Sequence, residues 1–196
     1  MTDQPAGELE YRAATVVGTS FPDRLIELIV MPYETETVAE YHGRMVREIV
    51  HAGAFDGIER RANRIRVNRD HDVTRTVGRA VRLHPSRQEG LVAELRIAKT
   101  PLGDETLELA DEEILDASAG FLPMPGGERW ENRSVRHLDR LWLGHIAMTP
   151  EPAYQTARVL SVRSQSLTEP PGGILTPNIE QVYAWRAQDA YDRLSR

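Results

Sequence analysis

Residues 11–30, YRAATVVGTSFPDRLIELIV, contain two apolar stretches rich in β-branched side chains, 11–18 and 25–30. Phe21-Pro22-Asp23 stands between them. Pro presets the backbone for a turn and Asp caps one, so the stretch predicts an antiparallel hairpin. Outward from it, 46–50 predicts a further short strand, and 53–61 (GAFDGIERR) a short helix. Ile65 and Val67 begin a strand that runs toward His71. Residues 77–83 and 91–97 predict a second strand pair, separated by Pro85, Ser86 and Gly90. Thr100-Pro101 is a helix start, with Asp104 and Glu105 at the positive end of the dipole and Leu102, Leu107, Leu109 and Ile114 along the helix. Residues 115–122 predict a strand, 123–129 a loop, and 134–148 one long strand or a hairpin. About seven short strands with two or three helices point to a closed barrel or a sandwich.

Beyond this body, 164–175 (SQSLTEPPGGIL) has linker composition. Ile179, Val182, Tyr183, Ala187, Ala190, Tyr191 and Leu194 then repeat at helical spacing. The expected organisation is a polar extension over 1–10, a main domain over 11–163, a linker over 164–175 and an amphipathic helix over 176–196. At 196 residues the chain is long enough for one domain with a proper core.

The net charge of −6 argues against a nucleic-acid surface, which needs concentrated positive charge. Lys99 is the only lysine, a bias toward Arg that is ordinary for a GC-rich genome. With no cysteine there is no disulfide, thiolate metal site or Cys nucleophile. No apolar run approaches the roughly 18 residues of a membrane span, and the polar N-terminus lacks a signal-peptide core. The expected location is the cytosol, with no membrane partner and no cofactor.

Three residues stand out as chemistry. Ser118 lies among small neighbours in Asp116-Ala117-Ser118-Ala119-Gly120, where a substrate carbonyl can approach closely. His71, in Asn68-Arg69-Asp70-His71-Asp72, has an imidazole whose pKa suits a general base. His145 is a polar residue in the apolar stretch 141–148 and must find a partner if buried. Together they offer a nucleophile, a base and a group to orient the base. Taken singly, each has a plainer reading: a small strand residue, an exposed turn histidine and a satisfied core histidine. Asp116 and Asp139 are alternative third members. Gly does not flank Ser118 at both second positions, so the α/β-hydrolase elbow is absent. His42, His51, His84 and His137 lack zinc-ligand spacing, and no phosphate loop or dinucleotide fingerprint is present.

Four segments, in order, resemble the maturation proteases of tailed-bacteriophage proheads, a serine protease family. Residues 48–55 end in Gly-Ala-Phe, 67–72 carry Asn-x-x-His, 117–121 carry Ser-x-Gly-Phe, and 145–154 end in Pro-Ala-Tyr. Gly78 and Glu89-Gly90-Leu91 fall where that family has a Gly and a Gly-Leu. The resemblance covers roughly 11–162 and implies the fold of the herpesvirus assembly proteases, a small closed β-barrel surrounded by helices. It implies Ser118 as nucleophile, His71 as general base and His145 as the orienting third member. Many phage members carry Glu seven positions before the Pro of Pro-Ala-Tyr; here that position is His145, the herpesvirus solution. The implied substrates are scaffold segments, the N-terminal part of the major capsid protein and the enzyme's own linker, cut inside the assembling procapsid. A homodimer is expected by analogy only. Two readings compete with this one: a catalytically silent assembly module on the same fold, and an unrelated serine esterase or peptidase.

Overall fold

Alternating burial along the 11–30 stretch builds the first edge of a barrel. In the computed structural model, which describes residues 4–150, strands β1 (Glu10–Ser20) and β2 (Leu25–Pro32) pair antiparallel, as the sequence predicts. Ala14 and Val16 of β1 and Ile26, Leu28 and Val30 of β2 are fully buried; of their alternates, Ala13, Thr15, Leu25 and Glu27 are partly or fully exposed, while Ile29 and Met31 are covered on the outer face. That period of two is what a sheet with one buried face requires. The predicted second pair also forms, as β6 (Asp72–His84) against β7 (Gly90–Ile97). With β5 (Arg66–Arg69), β8 (Asp116–Pro123) and β11 (Leu141–Thr149), these strands close a seven-stranded barrel in the order β1-β2-β7-β6-β5-β11-β8. Closure removes both edges, so no ladder of the barrel is left unpaired.

Helix α1 (Pro101–Asp111) starts as its sequence indicates. Thr100 is the N-cap and its side chain accepts a bond from the Gly103 N–H at 3.1 Å. The helix buries Leu107 and Ala110 against the barrel. It ends at Asp111, short of the predicted extent, and Ile114 lies beyond it, exposed. The helix expected at 53–61 lies further along the chain, as a 3-10 helix over Ile58–Arg64 preceded by turns.

A second sheet departs from the sequence reading. Strands β3 (Glu36–Tyr41), β4 (Arg44–Val50), β9 (Glu128–Glu131) and β10 (Val135–Leu138) form a four-stranded sheet in the order β3-β4-β10-β9. The stretch 134–148 is therefore neither one strand nor a hairpin. β10 pairs parallel with β4, whereas β11 enters the barrel. At the break, Asp139 and Arg140 donate their N–H groups to Gly127 O at 2.8 and 3.1 Å, and Leu141 N–H goes to Ala54 O at 2.7 Å. The end of the predicted 123–129 loop is likewise the start of β9.

A buried ion cluster joins the two sheets. Arg136 of β10, 1% exposed, bonds Glu48 of β4 at 2.9 Å and also pairs with Glu10 of β1 and Glu128 of β9. Arg12 of β1 reaches the same Glu48 at 2.6 Å. Burial opposes the Arg136 charge, but its three carboxylate partners outweigh that and hold it protonated. Among the described residues no helix is long and apolar enough to cross a membrane. The expected linker, the C-terminal helix and the Pro152-Ala153-Tyr154 word lie outside the described residues.

Candidate active site

Two parallel rows of outward-facing residues cross the barrel beside one another. In the first, Ser118 of β8 is directly opposed by Ala13 of β1 on one side and Ala147 of β11 on the other. Ala147 is in turn paired with Asn68 of β5, and Asn68 with Thr76 of β6. Ala117, Ala119 and Phe121 alternate with Ser118 and fill the barrel interior. The sequence word around Ser118 is thus a strand whose odd positions fill the barrel interior and whose even positions lie on the outer side of the barrel wall, where Ser118, Gly120 and Leu122 are covered all the same.

The second row is offset by two residues. Gly120 is opposed by Tyr11 of β1 and His145 of β11, and His145 by Arg66 of β5. Ser118 and His145 are therefore diagonal neighbours on one face of adjacent strands, about 7–8 Å apart at their Cα atoms. Gly120 is needed at its position: a Cβ there would lie 2.8 Å from His145 Cε1 and 3.1 Å from Tyr11 Cε1.

His71 arrives from a turn. Arg69 pairs with Asp72, so Asp70 and His71 alone make the β5–β6 connection. Their φ values are 55° and 59°, the left-handed pair of a type I′ hairpin. Asp and His are among the non-glycine residues that tolerate this region. The Asp70 N–H bonds Met148 O at 3.1 Å, which ties the tip to β11. The turn delivers His71 Nδ1 to 2.8 Å from His145 Nε2. The Tyr11 ring meets the His71 ring edge-on, with centroids 4.3 Å apart.

Burial favours the neutral form of both imidazoles. Desolvation lowers the His71 pKa below its ordinary value, partly offset by the Asp70 charge. Desolvation, then the neighbouring His71, brings His145 down to about 4. One ring must donate in the His71–His145 bond. If His71 Nδ1–H donates, its Nε2 is left with a lone pair, which is the tautomer a general base requires. Ser118 is fully buried, and its Oγ has no hydrogen-bond partner among the described residues.

Of the alternatives for the third position, Asp139 lies elsewhere. It pairs with Arg129 at 3.1 Å, near a second histidine pair, His51–His137. Asp116 sits at the end of β8 opposite Thr149. Among the described residues, no group of three or more His, Asp or Glu side chains is placed to hold a metal ion. One contributor, Tyr11, escaped the sequence reading, and Asn68 entered it only as the first letter of the Asn-x-x-His word. Tyr11 reads there only as a strand residue. Asn68, 2% exposed and accepting from the Thr76 hydroxyl at 3.1 Å, enters the site through its register with Ala147. Only strand pairing reveals either position.

A sequence profile of the family described as caudovirus prohead serine protease matches residues 29–170. No curated protein matches the chain. The solved structure of the bacteriophage T4 capsid assembly protease is similar at 9% sequence identity and a TM-score of 0.47, covering 72% of this chain and 94% of that chain.

Proposed function

From the premise that this chain belongs to the caudovirus prohead serine protease family, we propose that Ser118, His71 and His145 act as a Ser-His-His triad. The observation that carries this reading is the 2.8 Å contact between His71 Nδ1 and His145 Nε2 on the barrel face that also bears Ser118. Ser118 Oγ attacks the peptide carbonyl as His71 Nε2 takes its proton. The tetrahedral adduct collapses with cleavage of the C–N bond, and His71 returns the proton to the leaving amine. Water then repeats the sequence on the acyl-enzyme. His145 accepts from His71 Nδ1–H and fixes the tautomer. A neutral imidazole stabilises an imidazolium less than a carboxylate does, so turnover is slow. Slow turnover suits an enzyme enclosed with a finite stock of substrate.

The substrates are segments of the scaffold and of the capsid protein's N-terminal part, together with the chain's own 164–175 segment. Cleavage takes place inside the assembling procapsid in the host cytoplasm.

One observation favours a second reading, an assembly module without activity: the Ser118 hydroxyl is fully buried and does not bond His71. Catalytic hydrogen bonds are often long before substrate binds, so the distance alone does not decide between the two. Co-expression with the neighbouring capsid protein, read by intact mass, does. Processing in wild type that is lost in Ser118→Ala supports the triad. Identical uncut masses favour the silent module, and equal cleavage in both removes Ser118 as nucleophile.

A further inference from the structure

The row that holds His145 continues past it into three arginines. Arg66 of β5 is opposed to His145, Arg79 of β6 to Arg66, and Arg96 of β7 to Arg79. All three are exposed. Like charges directly opposite one another destabilise a sheet. The chain has 30 acidic residues against 24 basic ones, so carboxylates to relieve that repulsion are plentiful. None is used here. Arg66 donates only to the backbone O of Asn63, at 3.0 Å, and Arg66, Arg79, Arg96 and nearby Lys99 form no ion pair among the described residues. Elsewhere on the surface, arginines of the barrel do have partners: Arg82 with Glu94, Arg75 with Asp70, Arg24 with Asp104.

The three arginines line a cleft of about 480 Å³, in which Asp23 is the one carboxylate among the described residues. Strands are spaced about 4.8 Å apart, so Arg96 lies roughly 14 Å from His145. An extended peptide covers that distance in about four residues.

We propose that Arg66, Arg79 and Arg96 form a subsite for an acidic segment of the polypeptide being cleaved, within about four residues of the scissile bond. This rests on the protease reading above and names the chemistry of its substrate. A carboxylate between adjacent arginines turns a repulsive row into alternating charge, with bidentate bonds that Arg is built to make. A peptide is favoured over a nucleic acid because the arginine row is only a few extended residues long, begins at Arg66, the strand partner of His145, and belongs to a chain whose net charge is −6.

The test uses the full-length chain carrying Ser118→Ala and a fluorescein-labelled decapeptide with four glutamates. A copy with Gln for Glu and a ten-nucleotide oligo-dT serve as comparators, at low salt where screening is weak. The expected result is binding of the Glu peptide at least about tenfold tighter than the Gln peptide, with a loss of about tenfold in Arg79→Gln/Arg96→Gln. The thermal midpoint of that double variant should stay level or rise, since the like-charge contact is gone. Equal Glu-peptide binding by parent and double variant overturns the proposal, as does preference for oligo-dT. Fluorophosphonate labelling of the chain with Ser118 intact reads the protease assignment separately. If that label is absent while Glu-peptide binding still depends on Arg79 and Arg96, the protease reading fails and the acidic-peptide surface stands.

Discussion

His145 is 7% exposed and packed against His71, and this fixes how the pair responds to pH. Both pKa values are lowered, chiefly by desolvation. A free histidine titrates near about 6.5, so His71 stays neutral, as its proposed role of base requires, to a more acidic pH than that. The acid limb of Ser118 labelling by a fluorophosphonate is therefore expected below the ordinary histidine value. His145→Glu places an anion against His71, raises its pKa and should move that limb upward by roughly one to three units. A limb that stays in place would mean that residue 145 does not touch the base. The sign for stability follows from the same shifts. The unfolded chain binds protons at these two sites from about pH 6.5 downward while the folded chain resists. The two histidines contribute stability that is fully present above that pH. It is lost progressively as pH falls toward the folded values, about 4 for His145.

The β5–β6 connection is the element that places His71, the proposed base. Two residues in left-handed conformation, Asp70 and His71, join strands that a longer loop would separate from β11. A β-branched residue is disfavoured in that region by roughly 1–2 kcal/mol. Asp70→Val is expected to lower stability by about that amount and to reduce Ser118 labelling, because the tip loses its fixed geometry. Asp70→Gly, which adopts the same φ freely, should retain both. Denaturant melts alongside labelling rates separate these outcomes. Loss of labelling in the Gly variant would point instead to the Asp70 charge, which acts on His71 and pairs with Arg75 at 2.8 Å.

Across the whole molecule, the barrel and the four-stranded sheet meet through charges that water scarcely reaches. Glu48 is 2% exposed and receives both Arg12 and Arg136. Removing one member of a buried ionic group strands the others, which typically costs 3–5 kcal/mol. Glu48→Ala should therefore destabilise the chain by about that much, measured by urea unfolding. Exchanging Arg12, Glu48 and Arg136 together for apolar residues removes the most buried charges and leaves Glu10 and Glu128, which are part-exposed, to water, so it should be less harmful than its size suggests. A loss in Glu48→Ala below about 1 kcal/mol would show that water or backbone groups satisfy the arginines.

Much of this protein was legible before any coordinates. The 11–30 hairpin, the β6–β7 pair and the Thr100-Pro101 helix start depend on local chemistry: alternation, turn residues and a capping hydroxyl. Local chemistry acts within a few residues, so the linear order carries it. The family words at 48–55, 67–72 and 117–121 were readable for the same reason. What only the tertiary structure decided is the pairing of strands distant in the chain. Whether 134–148 was one strand or two depended on β4 and Ala54, some 90 residues upstream, offering partners for its two halves. The placing of Tyr11 and Asn68 beside the site depended on register, which is set by barrel closure rather than by their neighbours in sequence. So did the alignment of Arg66, Arg79 and Arg96 with His145. Hydrogen-bonded ladders fix which residues face one another across strands, and that information lies in no single segment.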